Sequence, residues 1–237
     1  MDLKEEAILG DGVARHWYYR AKSEALDRVV GPPPATVLDV GAGGGFFSRH
    51  LLEGGAGQAV CVDPGYAGDS DVEHAGRPLM FRRTAPAAPS DLILMMDVLE
   101  HVDDDTALAA EYIRPARPGT RVIVTVPAFT WMWSGHDDFL EHRRRYTLPG
   151  VQAVLRRAGL RLDGGRYLYG LLLPLAVVTR LPGKVARRLG RAAASGSQMR
   201  PAGALANAAL LAACRLEALL PRNPVAGLTA MAWGTVP

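Results

Sequence analysis

The stretch that could most directly bind a small ligand is "VLDVGAGGG", in which four of the five residues from 41 to 45 are glycine. An apolar, β-branched run precedes these glycines and "FFSRHLLEG" follows them, so we expect a strand, a tight loop and a helix. A loop without side chains lets a ligand contact the backbone and the N-terminus of the helix. The sequence therefore predicts a ligand-binding loop here.

Two kinds of glycine loop fit this stretch poorly. A phosphate-binding P-loop needs Lys and then Ser or Thr after its last glycine, but Phe46 and Phe47 follow Gly45. A dinucleotide loop counted from Gly41 needs glycine where Phe46 stands. A nucleoside triphosphate is therefore excluded as the ligand of this loop, and a nicotinamide dinucleotide stays open as an alternative. The pattern that is filled is acid, x, Gly, x, Gly, x, Gly, beginning at Asp39.

A second chemically dense stretch is "PAFTWMWSGHDDFLEHRRRYT" at 127–147, which is longer than a usual strand-to-helix loop. Histidine is the natural general base near neutral pH, which nominates His142 as a catalytic residue and then His136. His101, beside Glu100 in the loop after the preceding strand, is a third candidate. A structural role in the loop is the open alternative for each histidine.

The same loop holds the predicted binding residues for an acceptor molecule, with tryptophans as pocket walls and arginines as clamps for an anionic group. These residues are Trp131, Trp133, Asp137, Arg143 and Tyr146. His136 and His142, with acids between them, include plausible metal ligands. Because the two histidines are six residues apart and match no recognised ligand spacing, we predict no metal.

Apolar, β-branched runs alternate with helical patterns along most of the chain, which predicts a doubly wound α/β fold with a mostly parallel, Rossmann-like sheet. Seven strands are expected. Five of them are at 36–40, 58–63, 78–85, 90–97 and 118–127. A sixth follows the helix that begins at 147, and the seventh is at 227–237. The predicted organisation is a helical lid at 1–34, a core at 35–167, an apolar helical insertion at 168–226 and a last core strand at 227–237.

The insertion is rich in Leu and Ala, and its apolar run "YLYGLLLPLAVV" is too short to span a bilayer. A buried subdomain, a surface for a membrane or a lipid-linked acceptor, and a dimer interface are the alternatives for it. The protein is accordingly expected to be a monomer or a homodimer. A flexible link is expected at 192–204.

Composition narrows the classes of partner and compartment. The chain has 49% hydrophobic residues and a formal net charge of +3, and its basic residues alternate with acidic ones, so nucleic-acid binding is not expected. Cys61 and Cys214 lie far apart in apolar contexts and are expected to be reduced. With "MDLKEEAILGDG" at the start, no secretory signal is expected, and the predicted location is cytoplasmic.

The glycine loop, the acid that ends "QAVCVD" and the phrase "DVLEHV" occur in the order that resembles class I S-adenosylmethionine-dependent methyltransferases. "DVLEHV" is especially similar to small-molecule methyltransferases of the ubiquinone-biosynthesis type. The resemblance covers 35–162 and implies S-adenosylmethionine as the cofactor. It implies that Asp63 holds the ribose hydroxyls, which suits a carboxylate that accepts two hydrogen bonds.

The resemblance also implies roles for residues outside the loop. Trp17 and Tyr18 of "HWYYR" would pack over the sulfonium, and Arg20 would meet the methionyl carboxylate; a purely structural role for the aromatic pair stays open. The implied cofactor-binding set is Asp39, Gly41, Ala42, Gly43, Gly45, Phe46, Asp63, Pro64, Asp97, Val98, Leu99, Trp17, Tyr18 and Arg20.

The function that this resemblance implies is methyl transfer from S-adenosylmethionine to an oxygen or nitrogen of a small-molecule acceptor. An acceptor from natural-product chemistry or one linked to a lipid stays open. Two alternatives remain: a dinucleotide-dependent oxidoreductase that uses the same loop, and a non-catalytic partner protein that binds the cofactor.

Overall fold

The computed structural model describes residues 8–86, 89–188, 203–220, 223 and 225–237. The helices are α1 (Trp17–Val30), α2 (Phe46–Glu53), α3 (Asp105–Ile113), α4 (Gly135–Phe139), α5 (Leu148–Ala158), α6 (Leu173–Arg188) and α7 (Ala204–Leu219), with 3-10 turns at Gly10–Arg15, Leu99–His101 and Thr130–Met132. The strands are β1 (Thr36–Val40), β2 (Gln58–Val62), β3 (Ser70–His74), β4 (Arg77–Arg82), β5 (Leu92–Met96), β6 (Arg121–Pro127), β7 (Arg161–Leu168) and β8 (Thr229–Thr235).

One mixed sheet has the strand order β3-β4-β2-β1-β5-β6-β8-β7. The strands from β4 to β6 in this order are parallel, whereas β8 runs antiparallel to both β6 and β7. The predicted doubly wound, mostly parallel fold is therefore confirmed. The sequence predicts seven strands and the structure has eight, because "SDVEH" forms a polar, largely exposed edge strand, β3, that pairs with β4. Such a strand lacks the apolar pattern that would reveal it.

Helices cover both faces of the sheet because successive side chains of the central strands point to opposite sides. Leu92 and Leu94 of β5 pack into the core beneath α1 and α2, whereas Ile93 and Met95 pack into the core beneath α3 and α5. Every residue of β5 is buried. This continuous apolar run is what the parallel, doubly covered position of β5 requires.

The segment from 168 to 226 follows β7 and supplies α6 and α7 before the chain returns as β8. The side-chain amide of Asn207 in α7 makes two hydrogen bonds to the backbone just before and at the start of α1. Its oxygen accepts from the Trp17 N–H at 2.7 Å, and its nitrogen donates to the Arg15 carbonyl at 2.9 Å. Helix α7 thereby fixes the start of α1.

The apolar run predicted in this segment is divided between β7, which ends at Leu168, and α6, which begins at Leu173. Most of the flexible link predicted at 192–204 lies outside the described residues. Within the described ranges, none of the helices combines enough length with enough hydropathy to cross a bilayer.

Candidate active site

The glycine loop joins β1 to α2 with three residues in the left-handed region: Gly41, Gly43 and Gly45 have φ of 65°, 55° and 75°. A Cβ atom on Gly41 would lie 2.7 Å from a methyl group of Val98. The Gly41 N–H donates to the Val62 carbonyl at 2.7 Å, which ties the loop to the end of β2. The sequence places glycine where the backbone must turn and where no side chain fits.

Asp63, directly after β2, faces this loop. One of its carboxylate oxygens accepts from the Gly65 N–H at 2.8 Å, and the other lies 3.4 Å from the Gly43 nitrogen. Asp63 and Gly41 line a cavity of about 600 Å³ together with Pro64 and Val98. A backbone cradle with no side chains, beside a carboxylate that still has accepting capacity, fits an adenosine whose ribose hydroxyls donate.

Other residues of the predicted cofactor set are buried or packed behind the glycine loop and do not line the cavity. Asp39 is buried and accepts a hydrogen bond from the Ser48 hydroxyl at 2.9 Å, and it does not line the cavity. Burial raises the pKa of Asp39 to about 6, against the opposing effect of the Ser48 hydrogen bond. Ala42 and Leu99 are buried in the core, and Phe46 packs on the ring of Tyr19 with centroids 5.3 Å apart.

A second cavity of about 270 Å³ adjoins the first, because Asp97 and His101 line both. Its polar wall contains Glu100, His136, His142, Arg145 and Arg180. Its apolar wall contains Trp17, Tyr18, Leu172, Leu175, Leu210 and Leu228. Helices α1, α4, α6 and α7 all contribute to it, so residues from 17 to 229 meet around one small space.

Asp97 stands at the junction of the two cavities with φ of 58°, a conformation that is uncommon outside glycine. Its carboxylate accepts from the Thr125 hydroxyl at 3.1 Å and pairs with the ammonium of Lys22, which also donates to the Tyr18 hydroxyl at 2.8 Å. Lys22 is fully buried. Burial by itself would raise the pKa of Asp97 and lower that of Lys22, but their attraction outweighs it and shifts both pKa values the other way. Both groups are therefore charged.

His142 is oriented by a buried carboxylate. Its Nδ1 lies 3.0 Å from Asp137, which also accepts from Arg145 Nε at 2.6 Å and from the Ser134 N–H at 2.8 Å. Burial favours a higher pKa for Asp137, yet the hydrogen bonds from His142 and Arg145 lower it well below its usual range. Because Asp137 is ionised, Nδ1 of His142 donates to it, and Nε2 is the nitrogen that can accept when the ring is neutral.

Glu100 is fully buried, and neither of its carboxylate oxygens has a hydrogen-bond partner among the described residues. Burial, and then the negative charge of Asp97, raise the pKa of Glu100 well above its ordinary value. The rings of His101 and His142 meet edge to face with centroids 4.8 Å apart. The three histidines predicted as catalytic residues all line the second cavity.

None of the residues predicted to bind an acceptor lines that cavity. Trp131 is 52% exposed, and Trp133 donates its indole N–H to Asp138 at 2.8 Å. Arg143 donates to the His101 carbonyl at 2.8 Å, and the Tyr146 hydroxyl donates to the Leu99 carbonyl at 3.0 Å. Arg143 and Tyr146 therefore join the long loop to the segment after β5, while the fifth residue, Asp137, acts on the cavity through His142 and Arg145.

Arg20 is exposed and lines neither of the two cavities. The reason is helical phase, because residues 18 and 22 share the face of α1 that points at the sheet, and residue 20 lies on another face. Lys22 is the buried cation that the sequence analysis missed. Its position four residues after Tyr18, in a chain with lysine at only 4, 22 and 184, is the signal that was available.

Arg180 is the other residue missed. It donates to the Met132 carbonyl at 2.9 Å and lines the second cavity from α6. Burial, and then the charge of Arg145, lower the pKa of Arg180 to about 10. No motif marks Arg180, because its role depends on how α6 packs over the sheet.

A methyltransferase domain family matches residues 14–163, more than half of this chain. The chain therefore belongs to the methyltransferase domain family. It is 33% identical over 137 residues to an uncharacterized methyltransferase of Mycobacterium bovis, covering 53% of this chain and 50% of that protein. It is 31% identical over 170 residues to a trans-aconitate 2-methyltransferase of Azoarcus sp., covering 66% and 63%. The chain spans about half the length of the first of these relatives.

Solved structures show the same fold. A chain of the Haloferax volcanii complex between the Trm112 methyltransferase activator and a methyltransferase matches with a TM-score of 0.60 and 16% identity, covering 100% of this chain and 95% of that one. An S-adenosylmethionine-dependent methyltransferase of Mesorhizobium loti matches with a TM-score of 0.53 and 15% identity, covering 91% and 97%. The predicted membership in the class I S-adenosylmethionine-dependent methyltransferases is confirmed.

Proposed function

We propose that this protein is an enzyme that transfers a methyl group from S-adenosylmethionine to an oxygen or nitrogen of a small-molecule acceptor. The observation that carries the proposal is the pair of adjoining cavities, one against the glycine loop and one among histidines, which share Asp97 and His101. A cofactor in the first cavity and an acceptor in the second would meet at that junction.

The cofactor cavity would hold S-adenosylmethionine through the Gly41 backbone and the Asp63 carboxylate. The cofactor supplies a methyl group attached to a sulfonium. Asp97 and the rings of Trp17 and Tyr18 line the adjoining space, and aromatic faces attract a cation by about 0.5 to 2 kcal/mol. These residues would position the methyl group at the boundary between the cavities.

The acceptor cavity would hold a molecule with an apolar body and one polar, nucleophilic end. Leu172, Leu175 and Leu228 offer the apolar surface, and His142 offers an accepting nitrogen for a hydroxyl or amine proton. Positioning supplies most of the rate in such a displacement, because the nucleophile must approach to about 3 Å along one line. His142, fixed by Asp137, would orient the nucleophile and take its proton.

The acceptor's charge is part of the proposal. Arg180 lines the cavity, whereas the charge of Arg145 is paired with Asp137, so a carboxylate or another anionic group on the acceptor would be favoured near Arg180. The relative from Azoarcus sp. is named for methylation of trans-aconitate, a small carboxylic acid, which supports a small anionic acceptor. The exposed leucines Leu175 and Leu171, beside the cavity on α6 and its N-terminal turn, keep a lipid-linked acceptor within the proposal.

Thermal unfolding with S-adenosylmethionine, S-adenosylhomocysteine or NADH tests the cofactor. At about a hundred times Kd a ligand adds about 2.7 kcal/mol, which raises the Tm of a chain of this size by about 5 to 10 °C. We expect this shift with both adenosyl ligands, its loss in Asp63→Ala, and its retention in Glu73→Ala, which removes an exposed carboxylate from β3. A shift with NADH alone would replace this proposal with the oxidoreductase alternative.

A panel of small hydroxy acids, carboxylic acids and amines then tests the acceptor, with S-adenosylhomocysteine formation as the readout. We expect turnover with at least one acceptor and a large fall in kcat for His142→Gln. Unchanged turnover in His142→Gln would remove its assigned role. Cofactor binding without turnover of any acceptor would favour the non-catalytic partner protein.

A further inference from the structure

Glu100, His101 and His142 form a cluster in the acceptor cavity. One potential ligand atom from each residue, a carboxylate oxygen or a ring nitrogen, lies within 4.8 Å of those of the other two. Zinc bound by nitrogen and oxygen at about 2.0 to 2.2 Å has neighbouring ligand atoms about 3.4 Å apart. Side-chain movements of about 1 Å would therefore bring the three groups to a common centre.

The carboxylate of Glu100 is the second observation. It is fully buried, and its two oxygens have no hydrogen-bond partner in the part of the chain that the structure describes. A buried polar group without a partner is costly, and in native proteins it usually has a bound water, ion or ligand. The carboxylate points into a cluster whose other members are both imidazoles, which are common ligands of divalent transition metals.

The nearby cations are already engaged elsewhere. The ammonium of Lys22 pairs with Asp97 and Tyr18, and the guanidinium of Arg145 bonds to Asp137 and to the Ala128 carbonyl. Neither side chain forms a salt bridge with Glu100 in the structure. Lys22 and Arg145 are therefore not partners of the Glu100 carboxyl.

The orientation of His142 also fits a metal ligand. Metal-bound histidines usually donate their other ring N–H to a carboxylate, which fixes the ring and its tautomer. Asp137 holds Nδ1 of His142 at 3.0 Å and leaves Nε2 for a metal ion. Asp137 is in turn held by Arg145 and Ser134, so the ring is fixed by a buried network.

We propose that Glu100, His101 and His142 bind a divalent transition metal ion in the acceptor cavity, and that an oxygen of the acceptor completes its coordination. Two imidazoles and a carboxylate suit zinc, manganese, iron or cobalt rather than calcium. Three protein ligands leave a coordination position open for substrate. His101 also lines the cofactor cavity, so a metal-bound oxygen would lie near the transferred methyl group.

The role of the metal rests on the proposed function, and it narrows the acceptor to one with a hydroxyl or carboxylate oxygen. In this arrangement the metal ion would hold the acceptor oxygen, and Nε2 of His142 would bind the metal ion in place of accepting a proton. A carboxylate acceptor has no proton to lose, and a hydroxyl acceptor, made more acidic by the metal ion, would release its proton to solvent. The sequence alone predicts no metal, because its candidate ligands lie within 136–142. The cluster instead joins two residues after β5 to one residue of the later loop, and His136 is not a member.

The test uses protein without a polyhistidine tag, freed of metal with a chelator, and titrated with Co²⁺ and then Zn²⁺. Calorimetry gives the Kd, and the visible absorption of Co²⁺ reports nitrogen and oxygen ligands directly. We expect one ion per chain, with Kd weakened at least about 100-fold in Glu100→Gln and in His142→Gln, since even outer-shell changes cost about 10- to 100-fold. His136→Gln, which alters the same cavity outside the cluster, should bind within about twofold of wild type.

The affinity of each variant for S-adenosylhomocysteine serves as the folding control. If Glu100→Gln fails that control, His142→Gln decides the question, because it changes a different segment of the chain. Absence of binding to the wild type at millimolar metal, or an equal loss in His136→Gln, would overturn the proposal. Metal binding without adenosyl-ligand binding would support the metal site and remove the proposed methyltransferase function. Binding of the adenosyl ligand without metal binding would support the proposed methyltransferase function and remove the metal site.

Discussion

The two adjoining cavities differ in how much of their lining is backbone and how much is side chain. One wall of the cofactor cavity is the Gly41 backbone and Asp63, both within a stretch of about thirty residues that runs from β1 to the end of β2, and its other walls come from residues between 83 and 112. The acceptor cavity depends on side chains from α1, the turn after β5, α4, α6 and α7. A site made from backbone needs a short local motif, whereas a site made from side chains needs the whole fold.

The two cavities therefore differ in which residue changes they can tolerate. A glycine loop has no side chain to vary, so its requirement is the same for any protein that binds the same cofactor in this way. The residues around the second cavity come from several elements, so a side chain on one element can change while the backbone of the others stays the same. Under the proposed function, the first cavity would bind the cofactor common to the class, and the second would select the acceptor.

The largest expected effect is at Lys22, where the two cavities meet. Lys22→Met leaves the Asp97 carboxylate without its buried cation, and breaking such a pair costs about 3 to 5 kcal/mol in the free energy of unfolding. Urea denaturation measures this, and Lys22→Met/Asp97→Asn should recover much of the loss. Arg215→Met, which breaks an exposed pair with Glu24, should change stability little. An equally small loss of stability in Lys22→Met would show that the fold does not depend on the pair between Lys22 and Asp97.

The next largest effect is expected at Gly41, where a substitution tests whether the cofactor cavity depends on backbone conformation. Gly41→Ala combines a left-handed backbone with a Cβ atom 2.7 Å from Val98, and we expect it to cost about 2 to 4 kcal/mol and to abolish binding of S-adenosylhomocysteine. Gly119→Ala is the matched control, because Gly119 has φ of 89° and no neighbour near a new Cβ. That variant should lose about 1 to 2 kcal/mol and keep its affinity. Full calorimetric binding by Gly41→Ala would contradict a backbone-built cradle.

The smallest effect concerns the support beneath the glycine loop and depends on pH. The pKa of Asp39 is raised from 3.8 to about 6 in the folded protein, so the neutral carboxyl stabilises the fold fully below about pH 3.8. That contribution is lost as the pH rises through 6. Asp39→Asn should therefore gain stability relative to wild type between pH 4 and 7, by at most about 2 to 3 kcal/mol.

Denaturation at several pH values measures this gain, which should level off above pH 7. Ser48→Ala provides the comparison, because it removes a hydrogen bond that favours the ionised form of Asp39. In this variant the fall in stability should extend to a higher pH than in the wild type. A stability difference between Asp39→Asn and wild type that does not vary with pH would show that Asp39 titrates normally.

Sequence reasoning succeeds where a residue's role depends on its neighbours in the chain. The order of the glycine loop, Asp63 and "DVLEHV" predicts the class of protein. Five residues of the predicted cofactor set line the first cavity: Gly41, Asp63, Pro64, Asp97 and Val98. It also predicts the alternation of strands and helices, since burial on both faces leaves continuous apolar runs such as β5. It misses β3, whose exposed side chains carry no burial pattern.

The same reasoning is less successful in the long loop at 127–147. The density of aromatic and charged residues there predicts a functional loop, and His142 and His136 do line the acceptor cavity. Chemical type alone cannot show which way a side chain points. Trp131 lies outward, and Arg143 and Tyr146 bind the segment after β5.

The sequence by itself determined the class of fold and the position of the cofactor loop, because both follow from local periodicity and from glycines that occur where a Cβ atom would clash. Only the tertiary structure decided that Lys22 pairs with Asp97, that Asp137 orients His142, and that Glu100 lies buried beside two imidazoles. Each of these depends on the distance between segments that are 5 to 75 residues apart, or on the face that a helix presents. Such distances are set by packing, and no single segment of the sequence encodes them.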